Sequence, residues 1–371
     1  MTSPITNARN SDAACPRADV ERTLIYAPTT DWTYSHHPSL TYFNGRFRAI
    51  WSNGRVNEDD VGQRVLIASS ADFRTWTTPR PLVDTMMGKH SERVLTAAGF
   101  HRHAGTLVAY FGRYEYRPGA LVDGHRRPGD TSHRDVGLWR LTTTDGESWS
   151  ESVPAGLPMV PNHGPQATAS GRLILSGNVM FPWTDDVSGL AGWTKGGIYP
   201  SGMEAEVVDD SGGFRPVAER LGLASALCEG SFFQTDDGVI HMMFRSGTGF
   251  LWHASSVDDG ETWSRPVETR FTNDHTKFHF GRLPDGRFTC VGNPVVGGGR
   301  CPLVLMLSGD GVHFDEHLIL ADEDYEKRRE GLHKGGLYGY PHTTVHEGSL
   351  YVIVSLRKEA VGVLRVPLDS P

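Results

Sequence analysis

Histidine, tyrosine, arginine and acid side chains gather at six places along the chain, each just before an apolar, strand-like run. These are Tyr34-Ser35-His36-His37-Pro38, His101-Arg102-His103, Asn162-His163, Cys228-Glu229-Gly230, Asn273 to His279 (including Lys277), and Tyr338-Gly339-Tyr340-Pro341-His342. Histidine titrates near neutrality, so a pocket that collects several of them is suited to moving protons. Glu229 and Arg245 stand at the two ends of one apolar hairpin. An arginine there needs an anionic partner. It either forms an ion pair with Glu229 across the hairpin or, held by Glu229, offers a guanidinium fork to a substrate carboxylate. Arg282 and Arg113, each following an aromatic-Gly pair, are further candidates for such a fork. His101 and His103 share one strand face, but no histidine pair has helical metal spacing and no Cys/His pair is tight. No catalytic metal and no cofactor are therefore expected, while a structural Ca²⁺ in a central channel is compatible with the pattern.

The elements that must position these groups repeat. Ser69–Trp76, Thr143–Trp149, Ser256–Trp263 and Ser308–Phe314 share Ser/Thr, Asp, usually Gly, then an aromatic. In such a frame the Ser and Asp side chains bond nearby backbone N–H groups and Gly supplies positive φ, closing a tight turn. Between these turns lie apolar hairpins over Asn-Gly, Asp-Asp-Gly, Pro-Asp-Gly and His-Glu-Gly. Six units begin near Pro38, Val94, Gly164, Glu229, Lys277 and Tyr340. The last lacks an outer strand, which Arg22–Ala27 near the N-terminus can supply, leaving no open edge. The reading is an all-β propeller of four-stranded antiparallel blades, six by this count and seven if two units are merged. It occupies residues 21–371 as one domain behind a disordered leader, 1–20.

Composition excludes other classes. A net charge of −8 with scattered Lys and Arg argues against nucleic-acid binding. No apolar run approaches the roughly 20 residues that span a bilayer. The start of the chain lacks the apolar stretch of an export signal, so the cytosol is the expected compartment. The four cysteines fit no zinc pattern and read as reduced thiols. Two irregular stretches break the repeat, Arg117–Arg134 and Pro182–Met203. The second carries Trp183 and Trp193, which could stack on a sugar ring.

The four turn frames and the Glu229…Arg245 hairpin resemble the Asp-box sialidase superfamily over most of the chain. The arginine motif typical of the first sialidase blade is absent, and Tyr34–Ser39 stands in its place. A closer similarity is to propeller enzymes related to rhamnose–glucuronate lyases and α-L-rhamnosidases. It is carried by His36-His37-Pro38 with Trp51–Val65, by Phe280–Phe288, and by Tyr340-Pro341-His342 with Val352–Glu359. That family is seven-bladed. The resemblance implies cleavage of an α-L-rhamnose or similar linkage to a uronic acid, most simply by β-elimination. Arg245 and Arg282, assisted by Lys277 or Asn162, then neutralise the uronate. Base and acid come from His37, His101, Tyr114, His163, His279, Tyr340 and His342, while His36, Glu229, Trp183 and Trp193 shape the subsites. The alternatives are an exo-glycoside hydrolase on the same class of oligosaccharide, and a noncatalytic interaction platform.

Overall fold

Twenty-three of the strands fall into six antiparallel sheets that follow one another along the chain. The structure, a computed structural model, describes residues 2–10, 13–128, 133–200, 203 and 214–368. Blade 1 is Tyr34–Phe43, Arg46–Gly54, Arg64–Ser70 and Arg80–Val83. Blade 2 is Val94–His103, Thr106–Tyr116, His133–Thr143 and Val153–Pro154. Blade 3 is short, with Gln166–Ala167, Leu173–Ile174 and Trp183–Thr184 among the described residues. Blade 4 is Cys228–Gln234, Ile240–Arg245, Phe250–Ser256 and Val267–Thr272. Blade 5 is His279–Arg282, Phe288–Gly292, Leu303–Ser308 and Glu316–Ala321. Blade 6 is Tyr338–His346, Ser349–Leu356 and Ala360–Pro367, completed by Glu21–Tyr26.

That last pairing closes the ring as the sequence predicts. Glu21 lies opposite Arg365 and Leu24 opposite Gly362, so blade 6 draws its outer strand from the other end of the chain. The count is six, against the seven that the lyase and rhamnosidase resemblance implies.

The repeated turns do the work expected of them. Asp145 accepts the N–H groups of Glu147 (2.7 Å) and Ser148 (2.8 Å) and the Thr143 hydroxyl (2.9 Å). Asp72, Asp258 and Asp310 repeat the arrangement in blades 1, 4 and 5. Phe73 and Phe314 pack beneath their turns, buried. Between blades 4 and 5 the apolar faces meet in a cluster containing Phe233, Phe271, Phe280, Phe288 and Phe314. Removing one such ring costs about 3–5 kcal/mol by lost transfer energy and the cavity left.

Blades 2 and 3 meet through two glycines. A Cβ on Gly99 would lie 2.1 Å from the Gly164 nitrogen, and one on Gly164 would lie 2.1 Å from the Phe100 carbonyl oxygen. Only glycine permits that backbone approach.

The N-terminal segment departs from the expected disordered leader. Ile5 is 2% exposed and joins the cluster between blades 4 and 5. Arg270 N–H donates to the Ile5 carbonyl, Thr6 N–H to that of Val312, and Phe314 N–H to that of Thr6. One isoleucine filling a seam between outer strands is enough to anchor an otherwise polar segment, and no periodicity announces it. Among the described residues the chain also forms a short helix, Phe214–Leu221. Its last turn ends at Gly222 (φ +61°) with Leu223 N–H returning to the Ala218 carbonyl, the usual left-handed stop. Of the two irregular stretches, residues 129–132, 201 and 202 lie outside the described residues.

Candidate active site

The inner strands of blades 1, 4 and 6 each carry a bulge at the same height, at His36/Ser39, Cys228/Ser231 and Gly339/His342. Blade 2 has its counterpart at Ala97/Phe100, where Gly99 takes the positive φ. In the other three the left-handed residue carries a side chain: His37 (φ 53°), Glu229 (54°) and Tyr340 (53°). Loop residues at the same mouth share this backbone, with Asp59 at 51°, Arg300 at 62° and Lys358 at 53°. Non-glycine residues held there cost of order 1–3 kcal/mol each and cluster at functional sites. A bulge re-aims a side chain that regular alternation would send elsewhere, and here it gathers three: Arg245 bonds both Glu229 and Tyr340, and the His37 ring packs on Tyr340.

Beside them lies an open cleft of about 610 Å³, lined by Glu58, Arg245, Asp274, His275, Arg300 and Lys358 among others. Arg245 Nη1 lies 2.7 Å from Glu229 Oε2 and 3.4 Å from Tyr340 Oη. Burial works against the Arg245 charge, but Glu229 more than offsets it, and the pKa is raised. Arg300 comes from a glycine-rich loop and faces the Tyr340 ring, 6.0 Å from its centroid. Asp274 fixes the loop by accepting Gly297 N–H (2.7 Å) and Arg300 N–H (2.6 Å). Arg300 Nη2 donates to the His275 carbonyl at 3.3 Å, while its buried Nη1 has no partner among the described residues.

Below Tyr340 the His36 ring packs at 3.9 Å and the His37 ring at 5.1 Å between centroids. Burial holds both imidazoles neutral, His36 well below its ordinary value and His37 at about 3. Lys358 bridges both Glu58 oxygens at 2.6 Å. Beside this pair, burial and the Glu58 charge push the Asp59 carboxyl up to about 6. Lys277 is buried with its Nζ donating to the Pro341 carbonyl at 3.3 Å, 5.8 Å from the Tyr340 centroid. Desolvation lowers its pKa to about 7.

The other residues singled out in the sequence separate into three groups. His163, His279 and His342 meet one another deeper in the channel, with ring centroids 4.5 to 6.4 Å apart, and burial keeps all three neutral. Asn162 precedes this group, and its amide nitrogen is buried without a partner among the described residues. Tyr114 is buried against Tyr116 and His133 behind Asp59.

Four expectations are corrected by position. Arg282 lies at the opposite mouth, paired with Asp236 at 2.6 Å and stacked on Phe288. His101, far along its strand, points Nε2 at the Val187 carbonyl (2.8 Å). Trp183 stacks under the Arg172 guanidinium at 3.8 Å on the third strand of blade 3, and Trp193 packs against the core. None of the four lines the cleft: His101 and Arg282 lie toward the far ends of inner strands whose starts reach this mouth, and Trp183 and Trp193 lie on the third strand of blade 3 and the loop after it. The opposite mouth holds a hollow of about 690 Å³ lined by Gln166, Gln234, His279 and Arg282, whose polar groups are engaged within the fold.

Glu58, Asp59, Arg300 and Lys358 escaped the sequence reading. The acid run Glu58-Asp59-Asp60 and the Gly-Gly-Gly-Arg300 loop were the available signals, but both resemble ordinary solvated turns.

The comparisons agree with the architecture. No curated protein matches the chain. Among solved structures it is similar to a protein titled "Sialidase", with a TM-score of 0.69, 19% identity, and coverage of 95% of this chain and 33% of that one. It is also similar to the Trypanosoma rangeli sialidase in complex with sialic acid (TM-score 0.62, 12% identity, 96% and 60% covered). A third is a protein of unknown function from Dyadobacter fermentans DSM 18053 (0.63, 16%, 94% and 99%). The chain thus spans about a third of the first of these and three-fifths of the second. At these identities the likeness is one of fold. The model of the BNR repeat-like domain matches residues 45–353, so with its sialidase-type propeller the chain belongs to the BNR repeat-like family.

Proposed function

We propose that the protein is an exo-acting glycoside hydrolase that removes a terminal acidic sugar from a glycan. The observation that carries this reading is the single guanidinium of Arg245, which lines the cleft and joins Glu229 to the Tyr340 hydroxyl. Arg245 and Arg300 bind the sugar carboxylate, with Lys277 adding positive field. Tyr340 Oη attacks the anomeric carbon as the glycosidic C–O bond breaks. Its proton passes to Glu229, and Asp59 protonates the departing oxygen. Water then attacks the same carbon and gives a proton to Asp59, while Tyr340 leaves as the phenol by taking its proton back from Glu229. A tyrosine nucleophile suits an anionic sugar, because a carboxylate nucleophile would meet the substrate's own charge.

Elimination from a rhamnose-capped uronate is the second reading, favoured by the two neutral imidazoles beside Tyr340. In that chemistry the guanidinium pair neutralises the uronate, and His37 or Tyr340 removes the C5 proton. Incubation with sialosides, aryl glucuronides and rhamnose-capped glucuronate oligosaccharides separates the two. Release of a reducing sugar acid with retained anomeric configuration, read by NMR, supports hydrolysis. Ultraviolet absorbance of a 4,5-unsaturated uronate replaces hydrolysis with elimination, and no turnover of any acidic glycan removes both.

A further inference from the structure

The neighbours of His36 offer it a metal-binding tautomer. The Ser355 hydroxyl lies 2.7 Å from His36 Nδ1 and 3.1 Å from the Gly339 carbonyl oxygen, and when it donates to that carbonyl it accepts from Nδ1. That arrangement places the His36 proton on Nδ1 and a lone pair on Nε2, the form in which an imidazole ligates a metal. That Nε2 is buried, has no hydrogen-bond partner among the described residues, and lies 3.8 Å from Glu58 Oε1. A buried lone pair facing a carboxylate oxygen is repulsive unless a cation lies between them.

His37 completes the arrangement. On a regular strand adjacent residues point to opposite faces, but the bulge and the positive φ of His37 bring both rings to one side, 4.6 Å apart. His37 Nδ1 is oriented by Ser52 Oγ at 3.1 Å, a hydroxyl itself held by the Ala97 N–H at 2.9 Å. One ligand atom each from His36, His37 and Glu58 falls within 4.8 Å of the others. Hydroxyls behind each imidazole and an outward carboxylate are the supporting contacts that metal ligands use.

We propose that His36, His37 and Glu58 bind one divalent transition-metal ion, with Zn²⁺ the best match to two imidazoles and one carboxylate. Tetrahedral Zn²⁺ asks for ligand distances near ~2.0–2.2 Å and so for ligand atoms about 3.4 Å apart, which the three groups reach by rotating their side chains inward. Glu58 offers Oε1 to the ion and keeps Oε2 for Lys358. The ammonium of Lys358 then sits close to the ion and weakens its binding. Two neutral imidazoles, one carboxylate, one ammonium and a dication leave a net positive centre under the cleft. A sugar carboxylate or hydroxyl is the natural fourth ligand, and this last point alone rests on the hydrolase reading above.

The test is equilibrium dialysis of the intact chain against Zn²⁺, with the Co²⁺ absorption spectrum as a second readout. One equivalent should bind, with the visible bands of a four-coordinate Co²⁺ centre. His37→Gln and Glu58→Gln, checked for folding by near-ultraviolet circular dichroism, should each weaken binding by 10-fold or more. Lys358→Met should instead tighten it, an outcome that general damage to the site cannot mimic. Zn²⁺ binding unchanged in both ligand variants would place the ion on surface histidines and overturn the proposal. So would the absence of binding to the native chain at millimolar Zn²⁺. Neither readout depends on turnover, so failure of the hydrolase reading leaves this test intact.

Discussion

Arg245 Nη1 stands 3.4 Å from Tyr340 Oη while the same nitrogen holds Glu229 Oε2 at 2.7 Å. One guanidinium thus ties an inner strand of blade 4 to that of blade 6. Arg245→Met leaves the Glu229 carboxylate buried and uncompensated. The variant should lose about 3 kcal/mol of stability in urea titrations, with activity falling further than stability explains.

Tyr340→Phe removes only the hydroxyl. The fold should be unchanged by circular dichroism, and kcat should drop by about 10²–10⁴ while KM moves little. A variant with native kcat would remove Tyr340 from the chemistry.

Asp59 as proton donor makes a separate prediction. Asp59→Asn should slow substrates with poor, alkoxide-like leaving groups strongly and spare those whose aryl leaving group needs no proton. Equal loss on both classes points to a positioning role instead.

Acid stability should follow the channel histidines. Burial, with Lys277 nearby, depresses His163 from 6.5 to about 4, and burial lowers His279 and His342 as well. Between those values the unfolded chain binds more protons than the folded one, so stability is full above about pH 6.5 and falls as pH drops toward 4. For His163 alone the loss is of order 3 kcal/mol. Thermal melts of His163→Gln across that window should slope less steeply than those of the native chain.

The repeated turns and the N-terminal segment are predicted to be scaffold. Asp258→Ala forfeits contacts to Thr262 N–H (2.9 Å) and Ser256 Oγ (2.7 Å), costing about 1–3 kcal/mol with unchanged KM. Ile5→Ala should cost about 2–5 kcal/mol. Deleting residues 1–26 strips Glu21–Tyr26 from blade 6 and should give oligomers by size-exclusion chromatography, because Ala360–Pro367 becomes an open edge.

What the sequence determined by itself is the scaffold. Ser-Asp-Gly-aromatic turns and two-periodic hairpins are local, their hydrogen bonds spanning two to four residues, so four copies declare blades without any tertiary information. Closure by the N-terminal strand was legible for a related reason: the last unit lacked a partner and an open edge is unstable. His36, His37, Glu229, Arg245, Lys277 and Tyr340 were legible as polar residues at strand starts. Tertiary structure alone decided which of them meet. Alternation predicts that His36 and His37 diverge, yet bulges and left-handed φ values turn them, Glu229 and Tyr340 inward. No residue type signals those φ values in advance, since they are held by packing across blades. For the same reason Asp59, Arg300 and Lys358, set on loops more than 50 residues apart in sequence, became site residues only when the ring closed.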